Sequence, residues 1–247
     1  MFVSATSRSF ANLEFFEACQ RITDLEYSKV EIWVDNNSNH LTLAQVISDS
    51  DAFAHKYRDQ TRLTPIAFYL EQDITPDDLT LLCKTCKVLR VGQITIPASQ
   101  LGTPFNLEID RLRELTGIAS SNGISLSIKT QTGTLTEDPH TAVELCQSVQ
   151  GLGITLDPSY YLCGPHSHES IDQIYPHVYH THLRDTSKDQ LQVSTGLGEM
   201  DYNHMISQLE RENYKQNLSV DLLPEFTDAE SQPLEMRKLR MLLESLL

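Results

Sequence analysis

Two short stretches limit the fold of this chain more than anything else in it: Gly151–Tyr160, GLGITLDPSY, and His180–Asp185, HTHLRD. In the first, Leu152, Ile154 and Leu156 alternate with Gly153, Thr155 and Asp157. A period of two marks a β-strand, here with one face of large apolar residues and another that is small or polar and ends in a carboxylate. In the second, His180, His182 and Arg184 share one face, while Thr181 and Leu183 take the other. Two successive strands therefore finish, on their less apolar face, with charged or imidazole groups just before a loop. Binding and catalytic groups occupy that position in a parallel α/β barrel.

The same pattern recurs upstream. Val30, Ile32 and Val34 oppose Glu31, Trp33 and Asp35; Ile66, Phe68 and Leu70 oppose Ala67, Tyr69 and Glu71; Ile124, Leu126 and Ile128 oppose Ser125, Ser127 and Lys129. Phe2–Ala5, Val88–Ile96 and Leu218–Leu222 supply the remaining strands. Helical segments separate them: one capped by Asn12, one over Thr42–Asp59, one opened by Thr75-Pro76-Asp77-Asp78, and Asn106–Ser121, closed by Asn122-Gly123. Asp138–Gln150, Ser170–Tyr175, Asp201–Glu212 and Thr227 or Asp228 to Leu247 complete the set. Strands alternating with helices imply right-handed parallel crossovers. An open doubly wound sheet needs central strands that are apolar on both faces. Here the second face is repeatedly Ser, Thr, Gly or charged, so the expected fold is α/β, a single (β/α)₈ barrel domain over residues 1–247.

If the strands close, their inward parity gathers Glu31, Glu71, Lys129, Asp157, His182 and Asp221 at one mouth, with Trp33, Tyr69 and Arg184 beside them. Residues spread over most of the chain are brought together by one geometric rule, the mark of a functional cleft. Nineteen basic against 34 acidic residues give a formal charge of −15 and no Lys/Arg run, which argues against a nucleic-acid partner. No apolar run reaches the roughly 18 residues of a membrane span, so no membrane partner is expected. The five cysteines, an odd number, point to free thiols in a reducing compartment, and the N-terminus carries no leader pattern, so a cytoplasmic protein is expected. Cys83-Lys-Thr-Cys86 reads as thiols at a helix end. The oligomeric state is not legible.

The motifs KVEIW (Lys29–Trp33), ISLSIKTQTG (Ile124–Gly133), GITLDPSYY (Gly153–Tyr161), HTHLRD, GLGEMDY (Gly196–Tyr202) and LSVDLLPE (Leu218–Glu225) stand in a characteristic order. In them the chain resembles the sugar phosphate isomerase/epimerase-like proteins of the xylose isomerase-like barrel superfamily, which also includes the endonuclease IV type of apurinic-site nuclease. The resemblance implies a divalent metal held by Glu, Asp, His and Glu at the ends of strands five to eight. The matching positions here are Lys129, Asp157, His182 and Asp221, and Tyr160 stands where a DxxH motif places a histidine. The resemblance also implies two glutamates that shuttle a proton beside a substrate carbonyl, and neither is a glutamate in this chain.

Three carboxylates around a dication sum to the same charge as Asp157, Asp221 and Lys129 without metal. Lys129 is thus expected to take the cation's place and pair with both aspartates, and a bound metal or other cofactor is disfavoured. Asp157 and His182 read equally as ligands and as remnants of a site, hydrogen-bonded to each other. The implied function is isomerase- or epimerase-like action on, or binding of, a small sugar or polyol, with any chemistry at Lys129, Asp157, His182 and Asp221. Glu31, Trp33, Tyr69, Glu71, Tyr160 and Arg184 are the candidate binding residues. The alternative is a catalytically inactive barrel that binds a small ligand or a partner. Arg8 and Arg184 read more simply as pairing with surface acids such as Asp185. His177, His180 and His204 read as ordinary surface and packing residues. His166 and His168 resemble an HxH metal pair but, with no third ligand in view, read as solvated loop residues.

Overall fold

The computed structural model describes residues 1–247. Eight parallel strands close into a barrel in chain order: β1 Phe2–Thr6, β2 Lys29–Val34, β3 Thr64–Leu70, β4 Gln93–Pro97, β5 Ser125–Lys129, β6 Leu152–Leu156, β7 Val178–Leu183 and β8 Asn217–Val220. The ring shuts because β1 pairs with both β2 and β8. Nine α-helices lie between and after the strands: α1 Phe15–Asp24, α2 Leu43–Ile47, α3 Ser50–Gln60, α4 Pro76–Leu89, α5 Phe105–Ser121, α6 Pro139–Ser148, α7 Ser159–Leu162, α8 Tyr202–Arg211 and α9 Gln232–Ser245. No helix is long and apolar enough to cross a membrane.

The hydrophobic core lies between the strands' outer faces and the helices. Ile32, Phe68, Ile94, Ile128 and Ile154, one from each of five strands, are wholly buried there. The barrel interior is different. Its inward faces carry hydroxyls, and these satisfy one another: Ser4 with Ser219 at 2.8 Å, Thr95 with Thr155 at 2.7 Å, and Ser127 with Thr155 at 2.6 Å. Burying a hydroxyl without a partner costs free energy, so this ladder makes a polar lumen tolerable.

Four boundaries differ from the sequence expectation. Val88 and Leu89 end α4 and do not begin β4, because Leu82, Cys86 and Leu89 continue one buried helix face. Arg90, in the left-handed region at φ 61°, then stops the helix. Cys83 and Cys86 consequently sit on that buried face, within the helix, with their thiols' pKa values raised by burial. Asn12 caps nothing; a 3₁₀ turn over Ser7–Phe10 follows β1, and α1 begins at Phe15, whose N–H donates to the His40 carbonyl. Thr42–Asp59 is two helices. A capping box of Thr42 and Gln45 opens α2, and Asp49 accepts from Ala52 N–H at 2.9 Å to open α3. Ser170–Tyr175 is a 3₁₀ turn displaced to Asp172–His177, with Pro176 inside it.

The barrel floor depends on one close approach. In β7 the register shifts so that Val178 pairs with Ile154 and His180 with Thr155, leaving Tyr179 as an extra residue. The Tyr179 ring folds over Gly153, where any Cβ would overlap it. Gly153→Ala is expected to lower unfolding stability by about 1–3 kcal/mol, as overpacking does. Urea titration measures it, and Gly153→Ala combined with Tyr179→Ala should recover part of the loss.

Candidate functional site at the barrel mouth

Lys129, Asp157, His182, Arg184 and Asp221 close the last turn of β5 to β8 and are all buried. Backbone pairing fixes their depth. Asp157 N–H donates to Thr130 Oγ1 at 2.8 Å, while the Thr130 hydroxyl donates to the Asp157 carbonyl at 3.2 Å. Asp221 N–H donates to the Leu183 carbonyl at 2.9 Å.

Arg184 is the centre of the cluster. Its Nη2 lies 2.8 Å from Asp157 Oδ2 and 2.7 Å from Asp221 Oδ2. Its Nη1 donates to Asp157 Oδ1 and to Ser159 Oγ, each at 3.1 Å, and its Nε donates to the Asp221 carbonyl at 2.8 Å. The expectation that Arg184 pairs at the surface is corrected: a strand-end arginine on the inward face has its own buried aspartates nearer than any loop acid. Asp185 instead accepts from the backbone N–H of Thr186, Gly196 and Gly198. Lys129 Nζ stands 3.4 Å from Asp221 and 3.6 Å from Asp157, and donates to the Tyr69 hydroxyl at 3.2 Å. The expected pairing of Lys129 with both aspartates is therefore the observed geometry, with a second cation beside it.

Arg8 extends the network outward, 3.5 Å from Asp221 and 3.7 Å from Glu71. Glu71, about 29% exposed, also accepts from Trp33 Nε1 at 2.8 Å. Three cations and three carboxylates thus interlock. Tyr160 covers them, its ring centre 5.8 Å from Lys129 Nζ and 5.7 Å from the Arg184 guanidinium carbon.

His182 does not bond Asp157. It donates from Nε2 to Glu31 Oε2 at 2.8 Å, with Nδ1 3.6 Å from Asp221 and without a hydrogen-bond partner. His180 is no surface residue either. It is buried, with Nε2 3.2 Å from the other Glu31 oxygen. Ring–ring contact at 4.9 Å holds Tyr69 against His182. Sequence reading missed Arg8, Ser159 and His180 as members. The parity of HTHLRD carried the signal for His180, whereas Arg8, in a 3₁₀ turn, has no periodicity to betray it.

Electrostatics follow from the packing. Burial alone would raise the Asp221 pKa, but Lys129 and Arg8 overcome it and hold the carboxyl well below the usual range. Burial likewise would raise Glu31, yet His180 and His182 bring it down to about 2. Burial lowers His182, consistent with a neutral ring that donates one N–H to Glu31. Burial also lowers Lys129, against the pull of Asp221.

Solvent meets this cluster at its Arg8 and Glu71 edge. A cavity of about 480 Å³ opens there between the loops after β3 and β4, lined by Glu71, Gln72, Ser99, Gln100, Thr103 and Arg111 among others. A larger cavity, about 610 Å³, lies at the opposite end, around Gln93, Ser125, Tyr179 and Asn217, away from Lys129.

Two outcomes follow. Arg184→Met leaves two buried aspartates short of a cation and should lower unfolding stability by about 3–5 kcal/mol in a urea titration. Glu31 and Asp221 have folded pKa values below their ordinary 4.5 and 3.8, so their stabilisation is complete above those values. For Glu31 it is lost as pH falls from 4.5 toward about 2, for Asp221 at lower pH still, and Glu31→Gln should flatten the decline in unfolding stability measured between 4.5 and about 2.

Residues 20–239 match the Xylose isomerase-like TIM barrel family. No curated protein sequence matches the chain. Among solved structures, a Xylose isomerase-like TIM barrel protein from Mycobacterium smegmatis in complex with magnesium is similar at TM-score 0.77 and 16% identity, over 99% of this chain and 97% of that one. The probable 3-DHS dehydratase AsbF of Bacillus anthracis is similar at TM-score 0.75 and 15% identity, over 98% and 99%. D-psicose 3-epimerase of Clostridium cellulolyticum H10, solved with D-tagatose, follows at TM-score 0.73 and 12% identity, over 100% and 99%. At these identities the structures speak for the fold, and the match over residues 20–239 makes this chain a member of the Xylose isomerase-like TIM barrel family.

Proposed function

We propose that this chain binds a small sugar or polyol at the barrel mouth, and that fixed cations replace the divalent metal implied by its family resemblance. The observation that carries the reading is the position of Arg184 Nη2, within 2.8 Å of both Asp157 and Asp221, with Lys129 behind it. Asp157, His182 and Asp221 do bring donor atoms within 4.8 Å of one another. A dication bonded to both carboxylates at about 2 Å would stand some 4 Å or less from two fixed positive charges. At that distance each pair of unit charges repels by about 4 kcal/mol. The residues therefore do not fit a metal as they stand.

The ligand class is supported by the donors at the open edge. Glu71 and Arg8 offer a charged acceptor and donor, Trp33 braces Glu71, and Gln72, Ser99, Gln100 and Thr103 line the adjoining cavity with amides and hydroxyls. Closely spaced polar groups of both kinds match a molecule carrying several hydroxyls. Related folds carry sugar epimerases, among them the protein solved with D-tagatose. On this reading Lys129, Asp157, His182 and Asp221 form the charged floor beneath the ligand, and Tyr69 and Tyr160 its walls.

A thermal-shift panel of ketoses, polyols and sugar phosphates, run without added metal, tests the proposal. One class should raise the melting temperature, and Arg8→Ala or Glu71→Ala should abolish that shift. A flat response to the whole panel would leave the partner-binding barrel as the better account. One Mn²⁺ per chain, lost on His182→Gln, would overturn the replacement of metal by Lys129 and Arg184.

A further inference from the structure

The loop between α7 and the 3₁₀ turn carries three histidine or carboxylate side chains that play no part at the mouth. His166, His168 and Glu169 meet the start of α6, where Asp138 and His140 stand. Asp138, His166 and Glu169 bring one donor atom each within 4.8 Å of one another. His166 Nδ1 is 2.8 Å from Glu169 Oε1. His168 Nε2 and His140 Nε2 each lie 3.7 Å from an oxygen of the same carboxylate. Three imidazoles therefore surround one glutamate, and its Oε2 is buried with no hydrogen-bond partner.

The charge balance is the reverse of that at the mouth. There, Lys129, Arg184 and Arg8 neutralise the carboxylates. Here the only groups paired with Glu169 are imidazoles, and Asp138 and Glu137 add further negative charge near His166. Asp138 already accepts three bonds as the cap of α6, from the N–H groups of His140 and Thr141 and from the Thr141 hydroxyl at 2.6 Å, yet a carboxylate has about four lone-pair sites and keeps capacity for one more bond. Imidazole with carboxylate, no Lys or Arg among them and an open edge is the donor set of a borderline divalent ion, which on binding displaces the proton that Glu169 favours on His166.

We propose that Asp138, His166 and Glu169, completed by His140 or His168, form a binding site for Zn²⁺ or a similar first-row dication. Four-coordinate zinc with bonds of about 2.1 Å needs its donors about 3.4 Å apart, so the side chains close by small rotations only. The ion joins the loop before α6 to the loop after α7. Since α7 carries Tyr160, the cover of the mouth, occupancy stiffens that cover. The site does not depend on what the mouth binds.

The test is a Zn²⁺ titration of the untagged full chain, competed against a chromophoric chelator. One ion per chain is expected, with affinity falling at least about tenfold in His166→Ala and again in Glu169→Gln. Both side chains are half-buried in a loop outside the hydrophobic core, so urea midpoints without metal should shift little and separate lost binding from lost folding. Hydrogen exchange over residues 160–169 should slow on adding Zn²⁺ to the unaltered chain and not to the double variant. Equal Zn²⁺ affinity in the double variant, or no binding up to about 1 mM in the unaltered chain, overturns the site. Binding that survives the double variant and is lost on His182→Gln would overturn the metal-free mouth as well, whereas absence of all binding leaves the mouth reading intact.

Discussion

A guanidinium between two buried aspartates is the interaction on which the mouth of this barrel depends. Asp157 and Asp221 end β6 and β8, the strands on either side of β7, and each is fully buried. Neither could remain ionised there alone, because charge taken from water without a partner costs several kcal/mol. Arg184, ending the intervening strand, reaches both with a single nitrogen and satisfies its remaining donors on Ser159 and the Asp221 backbone. Planarity suits it to this position, since a rigid fork can hold two carboxylates at once while an ammonium offers one point of charge. Lys129 and Arg8 then add charge on either side. The ends of these strands are tied together by electrostatics as much as by the ladder of backbone hydrogen bonds.

The consequence is a mouth divided into a dry part and a wet part. Lys129, Asp157, His182, Arg184 and Asp221 exclude solvent, and Tyr160 lies over them. Glu71 and Arg8 lie at the edge, where solvent reaches the charged network. The barrel scaffold is the one on which similar proteins hold magnesium or D-tagatose.

Much of this was legible in the sequence, because a strand's period of two survives burial. Parity alone assigned Glu31, Lys129, Asp157, His182 and Asp221 to the lumen, and the structure places them there. It also placed Arg184 beside them, though its partners were read as surface acids, and it carried His180, which the commonness of packed histidines hid. Partners were harder. Asp157 and His182 looked suited to each other, yet His182 turns to Glu31 of β2 at 2.8 Å, a partner that strand parity does not reveal. Boundaries failed where one residue type serves two structures: Val88 and Leu89 extend a helical face as readily as they begin a strand. His166 and His168 have Glu169 beside them in sequence, but Asp138, which completes the cluster from another loop, is invisible to local spacing.

The irregularity in β7 has an effect on how this site can change. Tyr179 is the surplus residue that lets Val178 and His180 meet consecutive residues of β6. A comparable slip between β2 and β3 falls at Val30 and Glu31, again below the charged layer. Both dislocations lie toward the bottom of the barrel. Above them the alternation runs unbroken to the rim. Loss of the surplus residue would make Val178 and His180 neighbours on a regular strand, still paired with Ile154 and Thr155, so His182 and Arg184 would keep facing the lumen. The mouth is thus insulated from a deletion at that point of β7, while substitutions along the rim would alter it one contact at a time.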